Sequence, residues 1–193
     1  MMGAPMGGSG RERSDEELMR AYVAGDEAAF RGLFERYVPM LMRLVRRRLD
    51  SDEHAREVVQ QAFFQLHVAR YDFREGAKLR PWVYTIAMNL VREHYRKRTR
   101  RRETALDPER SAAPSPPERG AIEASQRAAQ LREALATLPA SQREVVELHW
   151  FQEMPFAEVA AVVGATEGAV RVRAHRAYKR LEELLRVELG GNR

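Results

Sequence analysis

The chain has 193 residues, with 33 Lys and Arg against 28 Asp and Glu, and a formal net charge of +5. That length allows one ordinary domain or two small ones, and the basic balance points to a polyanionic partner, nucleic acid or an anionic membrane surface. With 44% hydrophobic residues the chain can bury a core, and with no cysteine it has no disulfide or thiolate metal site.

Met1–Gly10 is rich in Gly and Met and has no apolar run of signal-peptide length. No apolar run approaches the roughly 20 residues that cross a bilayer, so a soluble, cytoplasmic protein without membrane insertion is expected. The histidines (His54, His67, His94, His149 and His175) form no ligand pair of HExxH type, so neither a metal nor a cofactor is expected.

Ser14 and Asp15 cap a short helix bearing Leu18, Ala21 and Tyr22. A long helix follows, with Phe30, Leu33, Phe34, Tyr37, Leu41, Leu44 and Val45 on one buried face. Ser51 and Asp52 offer the next N-cap, ahead of a helix with Val59, Phe63 and Leu66 inside, Val58 and Ala62 alongside, and Glu57, Gln60, Gln61 and Gln65 outside. The polar segment Tyr71–Lys78, which contains Gly76, connects it to a helix after Pro81. There Val83, Ile86, Ala87, Leu90 and His94 share a stripe.

Aromatic residues Tyr71, Phe73, Trp82, Tyr84 and Tyr95 cluster here, and aromatics beside cations can stack on unpaired bases for about 1–3 kcal/mol each. Trp82 suits the core, whereas the Tyr71–Lys78 loop suits splayed bases. The helix runs into Arg96-Lys97-Arg98-Thr99-Arg100-Arg101-Arg102, a charge concentration that attracts phosphate without reading sequence, or else a solvated helix end.

Pro108, Pro114, Pro116 and Pro117 then mark a flexible linker at 103–125, which implies domains that move relative to each other. The expected domains are 14–102 and 126–189. Leu131, Leu135 and Leu138 lead to Pro139, which ends a helix. Ser141 and Glu144 are set as a capping box for the next, whose apolar face is Val145, Val146, Leu148 and Phe151.

Pro155 suits a helical first turn, with Phe156, Val159, Ala160 and Val163 facing inward. Gly164 permits a left-handed turn, and Thr166 caps a last long helix containing Val170, Ala174, Ala177, Leu181 and Leu184, with Gly190 and Gly191 at its end. Short helix, Gly-centred turn and longer helix make a helix-turn-helix. Thr166–Arg180 carries Arg171, Arg173, Arg176, Lys179 and Arg180 against the single acid Glu167. In such a motif the second helix enters the major groove, where Arg pairs with guanine and later cations neutralise phosphate. The fold class is therefore all-α, two small helical domains joined by a linker.

Leu79-Arg80-Pro81-Trp82-Val83-Tyr84-Thr85-Ile86-Ala87-Met88-Asn89 resembles the F-R-x-W-L-x-x-I-A-x-N signature of extracytoplasmic-function (ECF) sigma factors of the sigma-70 family. Arg56–Phe63 resembles their D-L-V-Q-E-x-F helix. Leu138–Val145 is similar to L-P-x-x-Q-R-x-V, Phe156–Gly164 to Y-x-E-I-A-x-x-x-G, and Glu167–Ala177 to E-G-T-V-K-S-R-L-H-R-A. The motifs stand in the family's order and span everything except the N-terminal tail.

The resemblance implies a sigma-2-like bundle and a sigma-4-like helix-turn-helix that carry RNA polymerase to promoters and help open them. It implies docking of Asp52, Glu57, Gln60 and Gln61 on the polymerase clamp helices, and contact of the second domain's first helices with the flap. It places Tyr71, Phe73, Lys78, Arg80, Asn89, Arg96, Lys97 and Arg98 on the −10 element. Thr166, Glu167, Arg171, Arg173, Arg176 and Lys179 would read the −35 element. An anti-sigma protein is the usual further partner.

Departures are Gln61 for an acid, Pro81 for a small residue, Met88 for Arg, and Ala169 and Val172 for hydroxyl residues. A helix-turn-helix regulator that binds operators alone, as a dimer, is the alternative, and it leaves Trp82–Asn89 and the Glu57 face without a role. No phosphate-cradling loop, carboxylate cluster or Ser/His/Asp set supports an enzyme.

Overall fold

Helix starts are written locally. Ser14 Oγ accepts from the Glu17 N–H while the Glu17 carboxylate accepts from the Ser14 N–H, a reciprocal cap for α1 (Asp15–Val23). Asp26 caps α2 (Glu27–Arg46) and Ser51 caps α3 (Asp52–Val68), each cap being worth about 1 kcal/mol. After a 3₁₀ turn at Arg70–Asp72 comes α4 (Leu79–Thr104), and the second half holds α5 (Ile122–Thr137), α6 (Ala140–Val146), α7 (Phe156–Val163) and α8 (Glu167–Gly190). The structure is a computed structural model describing residues 13–49, 51–104 and 122–190, and no strand occurs among them. The N-terminal stretch Met1–Gly10 lies outside the described residues, as does the linker apart from its ends, where α4 reaches Thr104 and α5 begins at Ile122.

In the first half, α1, α2, α3 and α4 bury Met19, Leu33, Tyr37, Leu41, Leu44, Leu66, Leu79 and Met88. Each such side chain contributes about 1.5–3 kcal/mol of transfer free energy, which carries α2 through Pro39 despite the backbone hydrogen bond that proline removes. Asp15 accepts from both Arg36 and the Tyr37 hydroxyl, fastening α1 to α2, and burial together with Asp15 pushes the Tyr37 phenol up. Pro81 falls in the first turn of α4, where a missing N–H costs nothing.

In the second half, α5, α6 and α8 enclose Ala134, Leu135, Leu138, Val146, Ala177 and Leu181. Gly164 takes φ +64° and ψ +43°, the left-handed cap that ends α7 and lets α8 turn away. Between α6 and α7, Glu147–Phe151 forms a π-helical turn, which buries Glu147 and Leu148 and leaves Trp150 exposed.

Two local expectations are corrected. Ser141 does not cap α6: Pro139 stands at the cap, its carbonyl accepting from the Gln142 and Arg143 N–H groups, so Ser141 is already inside the helix. Phe34 lies at the edge of the α2 stripe rather than in it, 44% exposed, with its ring 4.8 Å from that of Phe63.

The two halves are packed together. One apolar cluster runs from the first bundle into Val145, Leu148, Met154, Val159, Ala160, Val162, Val170 and Ala174, with α7 lying along α4.

Candidate nucleic-acid interface

The helix-turn-helix holds its outward face in place by short-range bonds. Thr166 Oγ1 accepts from the Ala169 N–H at 3.2 Å and starts α8. Glu167, favoured by the helix dipole at this end, accepts from Arg171 Nε and Nη2 at 3.1 and 2.5 Å. Such an exposed pair adds little stability, but it orients the arginine. Arg171 also lies 5.0 Å from the Phe156 ring centroid, so the first helix of the motif supports it from below.

Arg173 is half-buried, whereas Arg176 and Lys179 are exposed. With Gln142, Arg180, Glu183 and Leu184, the latter two line an open cleft of about 500 Å³ beside α6. The six expected −35 residues thus lie at the start and along the first half of one helix, with four cations directed along it.

The expected −10 residues are more scattered. Tyr71 is exposed, with Arg70 4.2 Å from its ring centroid and donating to its hydroxyl at 2.9 Å. Phe73 is half-buried against Trp82, ring centroids 5.4 Å apart, so Trp82 serves the core edge and Lys78 remains on the exposed loop. Asn89 is exposed and accepts from Arg92 at 2.8 Å. Arg96 and Lys97 are exposed on α4, Lys97 pairing with Glu93 at 2.8 Å, and Arg98 is half-buried. The side chains of Arg101 and Arg102 lie outside the described ones.

Arg80 is turned away from the loop. Its guanidinium donates to the backbone carbonyl of Gln152 in the second half. On α3, Glu57, Gln60 and Gln61 are exposed on one face, and Asp52, at its start, pairs with Arg46 at 2.9 Å.

Sequence reasoning missed the face between the halves. Arg48 pairs with Glu147, both nearly buried, and Arg92 pairs with Glu144 at 2.5 Å. Arg47 lies 3.7 Å from the Phe151 ring centroid. The buried Tyr84 hydroxyl donates to Gln152 Oε1 at 2.8 Å. Burial raises the Glu147 carboxyl above its ordinary range despite Arg48, Arg143 and Arg47 nearby. Burial likewise lowers the Arg47 guanidinium, and raises the Tyr84 phenol against the opposing charge of Arg80. The triplet Arg46-Arg47-Arg48 at the end of α2 was the available signal.

Among the described residues, no three His, Asp or Glu side chains gather to hold a metal, and no helix is long and apolar enough to cross a membrane.

Residues 33–101 match the family model of sigma-70 region 2, and residues 128–181 match that of sigma-70 region 4. The ECF RNA polymerase sigma factor SigM of Mycobacterium tuberculosis is 33% identical over 184 residues, covering 92% of this chain and 88% of that protein. The chain belongs to the ECF sigma factors of the sigma-70 family. Among solved structures, this sigma factor is similar to CnrH in complex with the cytosolic domain of CnrY, with a TM-score of 0.69, 26% identity and coverage of 90% of this chain and 97% of that one. It is also similar to the sigma factor RpoE in complex with the anti-sigma factor NepR from Bartonella quintana, with a TM-score of 0.68, 26% identity and coverage of 82% and 97%.

An ECF sigma factor directs core RNA polymerase to specific promoters and aids their opening, and sigma factors are initiation factors rather than classical enzymes. The operator-binding regulator is thereby set aside: region 2 covers Trp82–Asn89 and the Glu57 face, which that reading left without a role.

Proposed function

We propose that residues 14–102 dock on core polymerase and hold the opened −10 element, that 103–125 tether, and that 126–189 read the −35 element. Asp52, Glu57, Gln60 and Gln61 meet the polymerase clamp helices. Tyr71, Phe73, Lys78, Arg80 and Asn89 engage the separated −10 strand, with Arg96, Lys97 and Arg98 on its phosphates. Thr166, Glu167, Arg171, Arg173, Arg176 and Lys179 lie in the −35 major groove.

The observation that carries this reading is the α7–Gly164–α8 unit, whose second helix presents Arg171, Arg176 and Lys179 to solvent beyond a Thr166 cap. The chain makes and breaks no bond. Melting costs about 1.4 kcal/mol of stacking per step, and binding the single strand more tightly than the duplex offsets it. The factor works in the cytoplasm, and an anti-sigma protein is a further partner, by analogy with RpoE and NepR.

Run-off transcription with bacterial core polymerase and a promoter library tests this. Glu57→Lys lowers core affinity with the fold intact. Arg171→Ala with Arg173→Ala lowers use of −35-dependent promoters by about 10- to 100-fold, since a bidentate arginine–base pairing is worth roughly 1–3 kcal/mol. A wild-type chain that neither binds core nor initiates would overturn the assignment.

A further inference from the structure

The outward face of α8 carries an apolar side chain at its centre. Val170, Ala174, Ala177 and Leu181 are buried and fix the direction in which α8 meets its own domain. With about 100° between successive residues, Val172 points roughly 170° away from the centre of those four. It is 49% exposed. Gly168 lies one turn before it and Arg176 one turn after, with His175 and Lys179 on the same face, all exposed. Arg171 stands to the side, held by Glu167 and by the Phe156 ring.

Neither packing nor helix stability accounts for a valine at this point. A β-branched side chain loses rotamer freedom in a helix and ranks below Lys, Arg, Gln or Glu at an exposed position. The same restriction has a use: valine in a helix keeps essentially one χ1 rotamer, so its two methyl groups are held out in a fixed direction. A Cβ added at Gly168 would meet nothing within 4 Å, so the surface is shallow just before Val172 and a base-pair edge can come up to it. A rigid apolar tip in the middle of a cationic face has no hydrogen bond to offer. One group in the major groove suits it, since thymine alone among the four bases presents a methyl there.

We propose that Val172 reads the C5-methyl of a thymine in the −35 element, while the cations around it supply the guanine and phosphate contacts. The proposal rests on the placement of α8 in the −35 major groove. A hydroxyl at this position, as in the family pattern, can bond to phosphate or to several base edges. Valine gains only from an apolar group, so Val172 sets a sequence preference that the hydroxyl would not share.

The test uses the full chain with core polymerase. Run-off transcription from promoters randomised across the −35 element selects the bases that the factor requires, and wild type enriches thymine, on one strand or the other, at one position. Deoxyuridine there removes the methyl and leaves the hydrogen-bonding edge intact. It lowers binding of the wild-type holoenzyme to the selected promoter about fourfold, the effect of one buried methyl group. Val172→Ser loses the thymine enrichment and binds the thymidine and deoxyuridine promoters equally, while its guanine preferences persist. Val172→Gln, a better helix former, also loses the methyl dependence and guards against a helix weakened by serine, with circular dichroism as the check. Val172→Ile keeps it.

Equal wild-type binding to thymidine and deoxyuridine promoters at every −35 position overturns the contact, as does a methyl dependence that Val172→Ser and Val172→Gln retain in full. A wild-type chain that initiates from no member of the library refutes the sigma-factor reading, and the thymine contact falls with it. Initiation without methyl dependence removes the contact alone.

Discussion

Tyr84→Phe isolates the contribution of one buried interdomain hydrogen bond. Tyr84 is fully buried and Gln152 is 4% exposed, with 2.8 Å between the hydroxyl and Gln152 Oε1. Removing the hydroxyl keeps the ring and its packing in α4 but leaves a buried amide oxygen without a donor. That costs about 1–3 kcal/mol, and Gln152→Ala, which orphans the hydroxyl instead, costs a similar amount plus its own packing. The double variant has no orphan, so it loses less than the sum of the two. The cycle therefore shows a coupling of about 0.5–3 kcal/mol, read from urea unfolding of the four proteins with matched slopes. Strict additivity within about 0.3 kcal/mol would mean that the bond, and with it the close approach of α4 to the segment before α7, is absent in solution.

Gly164→Ala tests the turn of the helix-turn-helix. No atom lies within 4 Å of an added Cβ there, so the cost is backbone alone, about 1–2 kcal/mol at φ +64°. By calorimetry each kcal/mol lowers Tm by about 2–4 °C in a chain of this size, and Gly164→Asn should lose less. An unchanged Tm would remove the left-handed turn. Glu147 sets a pH dependence: its carboxyl is raised above the ordinary 4.5, mainly by burial and against Arg48, Arg143 and Arg47. The native state therefore holds the proton more tightly than the unfolded chain, and this contribution is full below the ordinary value and lost as pH climbs through the raised one. The stability of wild type relative to Glu147→Gln should fall over that window, by at most about 1.4 kcal/mol per pH unit, in urea titrations at several pH values. A flat or rising difference would reverse the sign assigned to Glu147.

Features set by neighbours in sequence were legible before the fold was known. Ser14, Ser51 and Thr166 cap the helices expected of them, because a cap needs only a hydroxyl and an N–H a turn away. Gly164 turns as expected for the same reason. Ser141 failed because Pro139, with its φ fixed, opens the helix at Ala140 and leaves the hydroxyl inside the first turn. Phe34 failed because a three- and four-residue period finds the stripe but not its edge.

The sites divide the same way. The α8 residues follow one another along a single helix, so their closeness follows from spacing. Arg80 and Tyr84 meet Gln152 across 72 and 68 residues of sequence, and no local pattern encodes that distance. Glu144 had a plausible local use, as the far half of a capping box, and it is spent instead on Arg92.

The choice of charge for that junction has a physical consequence. Apolar residues of equal volume in place of the buried Arg48–Glu147 pair would hold the domains at least as firmly, because taking two ions out of water costs several kcal/mol that their attraction only partly returns. An ion pair between domains is thus a weak fastening for the area it covers, though a selective one. Four arginines there meet two carboxylates, a carbonyl and a ring, so the junction carries more positive charge than negative.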